Sequence, residues 1–321
     1  FNQRLTGSFD YYYKKTNDIL VQTPYIAAMG EGGEPWVNGA SMNNQGVEFT
    51  VSFKSDPSSE FQWAVSANIG TYKTELTDLP SNVINKYAGD GVHDLILGRS
   101  PNSAYGLVAD GIFKTQEEVD AHADQPGKAV GRIRYKDLDG DGVINETYDR
   151  TWIGCYDPDF FGGLNFDFAY KGFDLNLFFE GMFGNDVNSD WKKESDIWLF
   201  TNPAWKNHAT RMLGGWSPDN PNSDIPAISN NTANQEQRFS SWFIEDGSYI
   251  KLRNIELGYT FPTKLIKKMH MSNLRLYAAA YNVFTLKKFW GDDKYTSFDP
   301  ERPSYHYLTP FTFNFGINVS F

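Results

Sequence analysis

A strict two-residue alternation of apolar and polar side chains constrains this chain more than any other feature. Near the end of the sequence Phe311, Phe313, Phe315, Ile317, Val319 and Phe321 share one parity, while Thr312, Asn314, Gly316, Asn318 and Ser320 share the other. Successive side chains of a β-strand point to opposite faces, so such a segment builds a strand with one oily and one hydrophilic face. The pattern recurs upstream. Leu5, Phe9, Tyr11 and Tyr13 oppose Thr6, Ser8, Asp10 and Tyr12; Val47, Phe49, Val51 and Phe53 oppose Glu48, Thr50 and Ser52. Phe61, Trp63, Val65, Ala67 and Ile69 oppose Gln62, Ser66 and Asn68. Leu164, Phe166, Phe168 and Tyr170 oppose Asn165, Asp167 and Ala169, and Phe173, Leu175, Leu177 and Phe179 oppose Asp174, Asn176 and Glu180. Ile250 and Leu252 share one parity and Ile255, Leu257, Tyr259 and Phe261 the other. A β-bulge near Arg253–Asn254 reconciles them. Leu274, Leu276, Ala278 and Ala280 oppose Arg275, Tyr277 and Tyr281. Together these segments predict an all-β, antiparallel chain of about eight strands.

The links between the segments alternate in length. Short ones (55–60, the Lys171–Gly172 turn, 262–272) separate long ones (15–45, 74–161, 182–248, 284–310). A soluble sandwich gives no reason for this, whereas an outer-membrane barrel does, with short periplasmic turns and long outer loops. Phe53, Phe61, Trp63, Tyr170, Phe173, Phe261 and Phe321 all fall near the short-turn end, where an aromatic girdle meets the lipid interface. On this assignment the apolar parity faces lipid. Asp10, Glu48, Asp174, Glu180, Glu256 and Arg275 then line a hydrated lumen.

Composition excludes several alternatives. Nowhere in the 321 residues is there an apolar run of the length a membrane-crossing helix needs, about 18 residues. A net charge of -11 argues against nucleic acid, which selects a basic footprint, and weakly disfavours strongly anionic cargo. The single cysteine, Cys155, allows no intramolecular disulfide and reads as a structural thiol. Phe1 in place of an initiator Met leads us to expect a piece of a longer protein.

Several blocks carry a family resemblance: Gly131–Asn165 (GRIRYKDLDGDGVINETYDRTWIGCYDPDFFGGLN), Ser241–Pro262 (SWFIEDGSYIKLRNIELGYTFP) and Leu274–Phe284 (LRLYAAAYNVF). They resemble the SusC/RagA family of TonB-linked outer-membrane transporters, and the closing FTFNFGINVSF is similar to the final strand read by the outer-membrane insertion machinery. The resemblance implies an antiparallel transmembrane β-barrel of about 22 strands, of which this chain is the C-terminal part. It places a plug and a TonB-contacting segment outside these residues. It also implies a SusD-like surface lipoprotein partner, oligosaccharide or peptide cargo, and energy from the inner-membrane proton gradient.

Two local motifs suggest further roles. Asp137, Asp139, Asp141, Asn145 and Asp149 resemble the start of a calcium loop, in which alternate oxygen ligands converge on a hard cation and Gly142 allows the turn. The twelfth position, where a bidentate Glu is expected, is Tyr148. A calcium-like ion and an acidic turn capped by its own carboxylates both stay open, and no other cofactor is called for. Trp191, Trp198, Trp205, Trp216 and Trp242 lie in one long loop, where they could stack on sugars, anchor a partner or pack against neighbours. Thr115 and Glu118 read as a capping box that opens a short helix.

No catalytic motif is present: no nucleophile elbow, zinc-helix pair, phosphate loop or dinucleotide fingerprint. His93, His122, His208, His270 and His306 show no metal-like spacing. The expectation is therefore a transporter segment and not an enzyme. A soluble glycan-binding β protein or glycosidase is the runner-up, and a self-closed eight-stranded barrel is a third possibility. Burial of the apolar parity would favour the second; pairing of residues 4–14 with 311–321 would favour the third.

Overall fold

The computed structural model describes residues 2–22, 35–84, 94–197, 208–229, 232–287, 296–303 and 307–321. Its strands are β1 Leu5–Gln22, β2 Trp36–Lys54, β3 Phe61–Asp78, β4 Ser103–Leu107, β5 Ala109–Ile112, β6 Ile133–Tyr135 and β7 Arg150–Cys155. They continue as β8 Phe160–Tyr170, β9 Phe173–Phe183, β10 Asp186–Asn188, β11 Ile244–Asp246, β12 Tyr249–Thr260, β13 Asn273–Lys287 and β14 Thr312–Ser320. Eight of them form one antiparallel sheet in the order β1-β2-β3-β8-β9-β12-β13-β14. These are the eight segments expected from the alternation.

Register explains why the faces separate so cleanly. One row across all eight strands reads Leu5, Phe53, Val65, Phe166, Leu177, Ile255, Ala280 and Phe313. The next row, on the opposite face, reads Thr6, Ser52, Ser66, Asn165, Phe178, Asn254, Tyr281 and Thr312. On β14 the large side chains of this apolar face are not covered by protein: Phe313 is 61% exposed, Phe315 82% and Ile317 66%. A soluble sandwich would bury this face against a second layer, so that alternative fails. Hydrocarbon is the environment in which such a row is stable. Aromatic pairs mark its short-turn end, with ring centroids 5.4 Å apart for Phe53–Trp63, 6.3 Å for Phe61–Tyr170 and 4.6 Å for Phe173–Tyr259.

Among the described residues β1 pairs only with β2 and β14 only with β13. Residues 4–14 therefore do not pair with 311–321, the sheet is open, and the self-closed barrel is excluded. Two local expectations hold. The register shift of β12 falls between Leu252 and Asn254, opposite Asn282 with φ 54° on β13. Lys171 and Gly172, with φ 47° and 85°, make the tight hairpin turn between β8 and β9. Both signs are positive, as a two-residue type I′ turn requires.

Strand length departs from expectation. β1, β2 and β3 have 18, 19 and 18 residues, where about 9–11 suffice to cross the membrane. The expected links 15–45 and 74–161 therefore lose their ends to paired strand. The cause lies in the solvent. Above the lipid neither face is sorted by hydrocarbon, so the ladder continues through pairs such as Lys14–Asn44 and Lys15–Asn43, in which alternation fades.

The protein's buried core sits in these outer extensions and loops. Val21, Ala40, Leu76, Leu79, Val83 and Ile96 form one cluster. Leu107, Ile112, Ile133, Tyr135, Ile144, Ile197 and Phe243 form another. Pairs β4–β7, β5–β6 and β10–β11 organise this cap. Helix α1, Gln116–Ala121, starts where the capping box predicted: the Thr115 side chain accepts from Glu118 N at 3.3 Å. The Glu118 carboxylate reaches back one residue further than expected, to Lys114 N at 2.7 Å.

Candidate functional site

The polar face of β8, β9, β12 and β13 carries a ladder of three hydrogen-bonded clusters stacked along the strands. Asn176 donates to Asp167 at 2.7 Å and to Asn165 at 3.0 Å, and Asn254 donates to Asn176 at 3.0 Å. Toward the short turns Arg275 Nε donates to Asp174 at 3.1 Å, and its Nη2 donates to Glu256 at 2.7 Å. Toward the loops Arg253 Nε donates to Glu180 at 2.8 Å and its Nη2 also pairs with Glu301. Lys251, 3% exposed, donates to Asp299 at 2.6 Å and pairs with Glu301. Burial works against ionisation of Glu301, but the Lys251 and Arg253 partners outweigh it and hold the carboxyl below its ordinary range. A charged wall of this kind is stable only against water or further polar groups. Of the predicted lumen residues, Asp174, Glu180, Glu256 and Arg275 meet in this ladder; Asp10 and Glu48 face each other on β1 and β2, away from it.

Above the ladder, at the outer mouth of the same face, lies a cleft of about 590 Å³. Met182, Asn185 and Tyr249 line it together with Asp186–Asn188 of β10, Tyr156, Asp190, Pro300, Glu301 and Pro303. Asp186 accepts from Cys155 N at 2.8 Å. Burial pushes its carboxyl up, and the charges of Asp246 and Asp159 add to that. The sequence reading missed this cleft. Its residues come from four separated stretches, and the only local hint was the short polar run Asn185–Asn188 where the strand pattern stops.

The acidic turn folds as a capped turn. Asp137 accepts from Gly140 N at 2.7 Å and Gly142 N at 2.9 Å; Asp139 accepts from Asp141 N, and Asp141 from Val143 N. Asp149, fully buried, accepts from Leu138 N at 2.8 Å and Asn145 N at 2.7 Å. Asp137, Asp139 and Asp149 bring carboxylate oxygens within 4.8 Å of one another. Asp141 stands outside that group, and the Asn145 side chain is spent on Thr147 N and Tyr148 N. The hydrogen bond from Asp141 N favours the charged form of Asp139, but desolvation, followed by the like charges of Asp141 and Asp149, outweighs it and raises the Asp139 carboxyl.

Three of the loop tryptophans pack internally. Trp191 lies against Phe298 with centroids 4.7 Å apart, while Trp216 and Trp242 cover the second loop core. Trp198, Trp205, His93 and His306 lie outside the described residues. His122, His208 and His270 join no metal-competent group among the described residues.

No protein-family model matches the chain. Over 339 residues it is 30% identical to TonB-dependent receptor P3 of Formosa agariphila, covering 100% of this chain and 33% of that protein. To TonB-dependent receptor SusC of Bacteroides thetaiotaomicron it is 26% identical over 333 residues, covering 100% of this chain and 30% of that protein. The fold superimposes on the structure of the RagAB peptide transporter with a TM-score of 0.76 at 24% identity, over 100% of this chain and 34% of that one. The RagAB peptide importer in its closed-closed state gives 0.75 at 24% identity, again over 100% and 34%. The chain thus spans about a third of the length of the curated relatives it matches. With a sheet oily toward lipid, a polar wall behind it and TonB-dependent receptors similar to it along its whole length, the chain is an antiparallel barrel segment of an outer-membrane protein, similar to the corresponding part of those receptors.

Proposed function

We propose that this segment forms part of the wall, lumen lining and outer loops of a TonB-dependent importer for oligosaccharides or peptides. The observation that carries it is the register: one sheet presents an unbroken apolar row to one side and a charged, hydrogen-bonded ladder to the other. That is what a hydrated conduit through lipid requires. Transport asks no covalent chemistry of these residues, and we assign them no catalytic role. Energy would reach the importer through TonB, a reading supported by the relatives' name of TonB-dependent receptor, with the contacts made by chain outside these residues. By the RagAB likeness a SusD-like surface lipoprotein would seat on the outer loops. For the acidic turn we favour a structural role, because its carboxylates are committed to backbone N–H groups. A calcium-class ion would be a supplement to the Asp137, Asp139 and Asp149 oxygens. The importer reading is tested by following labelled oligosaccharide and peptide mixtures into cells with and without the full-length protein, before and after collapse of the proton gradient. Uptake that depends on both the protein and the gradient is expected; uptake indifferent to the protein overturns the reading.

A further inference from the structure

The cleft at the outer mouth has a chemistry of its own. Its lining includes three carboxylates, Asp186, Asp190 and Glu301, and no lysine, arginine or histidine. Glu301 is neutralised from below by Lys251 and Arg253. Asp186 and Asp190 have no cationic partner among the described residues, and Asp246 and Asp159 add negative charge behind Asp186. Asn185, 5% exposed, also lines the cleft, and its Oδ1 has no hydrogen-bond donor among the described residues. A buried acceptor left without a donor is costly. The cleft therefore holds two uncompensated carboxylates and one unmet carbonyl, framed by the Tyr156 and Tyr249 rings, which suit a cation or a hydrocarbon stem. Lys251 already covers one face of Tyr249, with Nζ 5.2 Å from the ring centre, whereas Tyr156, 38% exposed, is the ring open to a ligand among the described residues.

We propose that this cleft is a subsite for a cationic group of a peptide cargo, either its N-terminal ammonium or a lysine or arginine side chain. The group would sit between Asp186 and Asp190, with one donor turned to Asn185. A neutral sugar would supply donors but leave both carboxylates uncompensated, so peptide is favoured over glycan at this position. The proposal rests on the importer reading. The burial that raises the Asp186 carboxyl agrees with it, since a cation in the cleft would relieve that cost.

The test uses the full-length receptor in outer-membrane vesicles and three labelled hexapeptides, differing at one position (lysine, norleucine or glutamate), beside a labelled malto-hexaose. The lysine peptide is expected to bind about tenfold more tightly than the norleucine peptide. Asp190→Asn should reduce that preference to less than about twofold. Asp186→Asn should do the same; because Asp186 also holds Cys155 N, Asp190→Asn serves as the variant that spares the fold. Equal binding of lysine and norleucine peptides by the wild type, or a preference that survives in both variants, overturns the subsite. If peptides or the oligosaccharide still enter cells through the receptor without any charge preference, the subsite alone fails. If neither class enters, the importer reading fails with it.

Discussion

Arg275 on β13 reaches diagonally over β12 to bind Asp174 on β9, passing above Gly258, which is itself in register with Asp174 and with Tyr277 while Arg275 stands opposite Thr260. A Cβ at Gly258 would stand 2.6 Å from both Arg275 Nε and Asp174 Oδ2. Backbone conformation does not demand glycine here; the ion pair above it does. Gly258→Ala should cost about 1–3 kcal/mol of barrel stability, the scale for a charge-assisted hydrogen bond lost or displaced. Heat-modified gel mobility of the full-length protein in detergent measures it. In an Arg275→Ala background the same substitution should cost little, and an undiminished cost there would sink the explanation.

The faces of β14 give a sharper contrast between neighbours. Phe315→Arg places a cation on the lipid side and should destabilise by about 2–4 kcal/mol near the bilayer midplane. Asn314→Arg, one residue away on the polar face, should be nearly neutral. Urea unfolding in lipid vesicles compares the two, and equal effects would contradict the face assignment.

Lys171 occupies a left-handed position, φ 47°, that asparagine adopts more readily. Lys171→Asn should therefore stabilise the β8–β9 hairpin by about 0.5 kcal/mol, despite losing an exposed contact to Glu60. A rise in the heat-modification midpoint is the readout.

Cargo binding should respond to pH. Asp186 is raised above the usual carboxylate range by burial, and the groups around it are Asp246 on β11, Asp159 before β8, Asp190 beside the cleft, Cys155 at the end of β7 and Tyr156 just after it. A raised pKa means that protonation on acidification begins at a higher pH than for an ordinary carboxyl near 4. Lysine-peptide affinity should therefore fall as pH drops from neutrality toward that raised value, while norleucine-peptide affinity stays level. Titration calorimetry or anisotropy across that interval distinguishes the two.

The acidic turn should stand without metal. Chelation should leave hydrogen–deuterium exchange of residues 137–149 unchanged, because Asp149 and Asp137 already serve as acceptors for the turn's N–H groups. Asp149→Ala, which strands two N–H donors around a fully buried position, should cost about 1–3 kcal/mol for each donor left unpaired. Strong protection lost on chelation would show instead that an ion holds the loop.

The sequence by itself determined the strands inside the membrane, their faces, the bulge at Arg253 and the turn at Lys171–Gly172. Each is enforced by a local rule that operates within a few residues: lipid on one side and water on the other sort side chains by parity, and a two-residue turn needs positive φ. Those rules lapse above the bilayer, so the outer halves of β1, β2 and β3 carried no readable alternation. Only the tertiary structure decided which carboxylates pair across the ladder, that Gly258 lies beneath an ion pair, and that Tyr156, Asp186, Asp190 and Tyr249 share a cleft. Those residues stand up to 93 positions apart in the chain, and their meeting depends on strand register and loop packing, which no local pattern encodes.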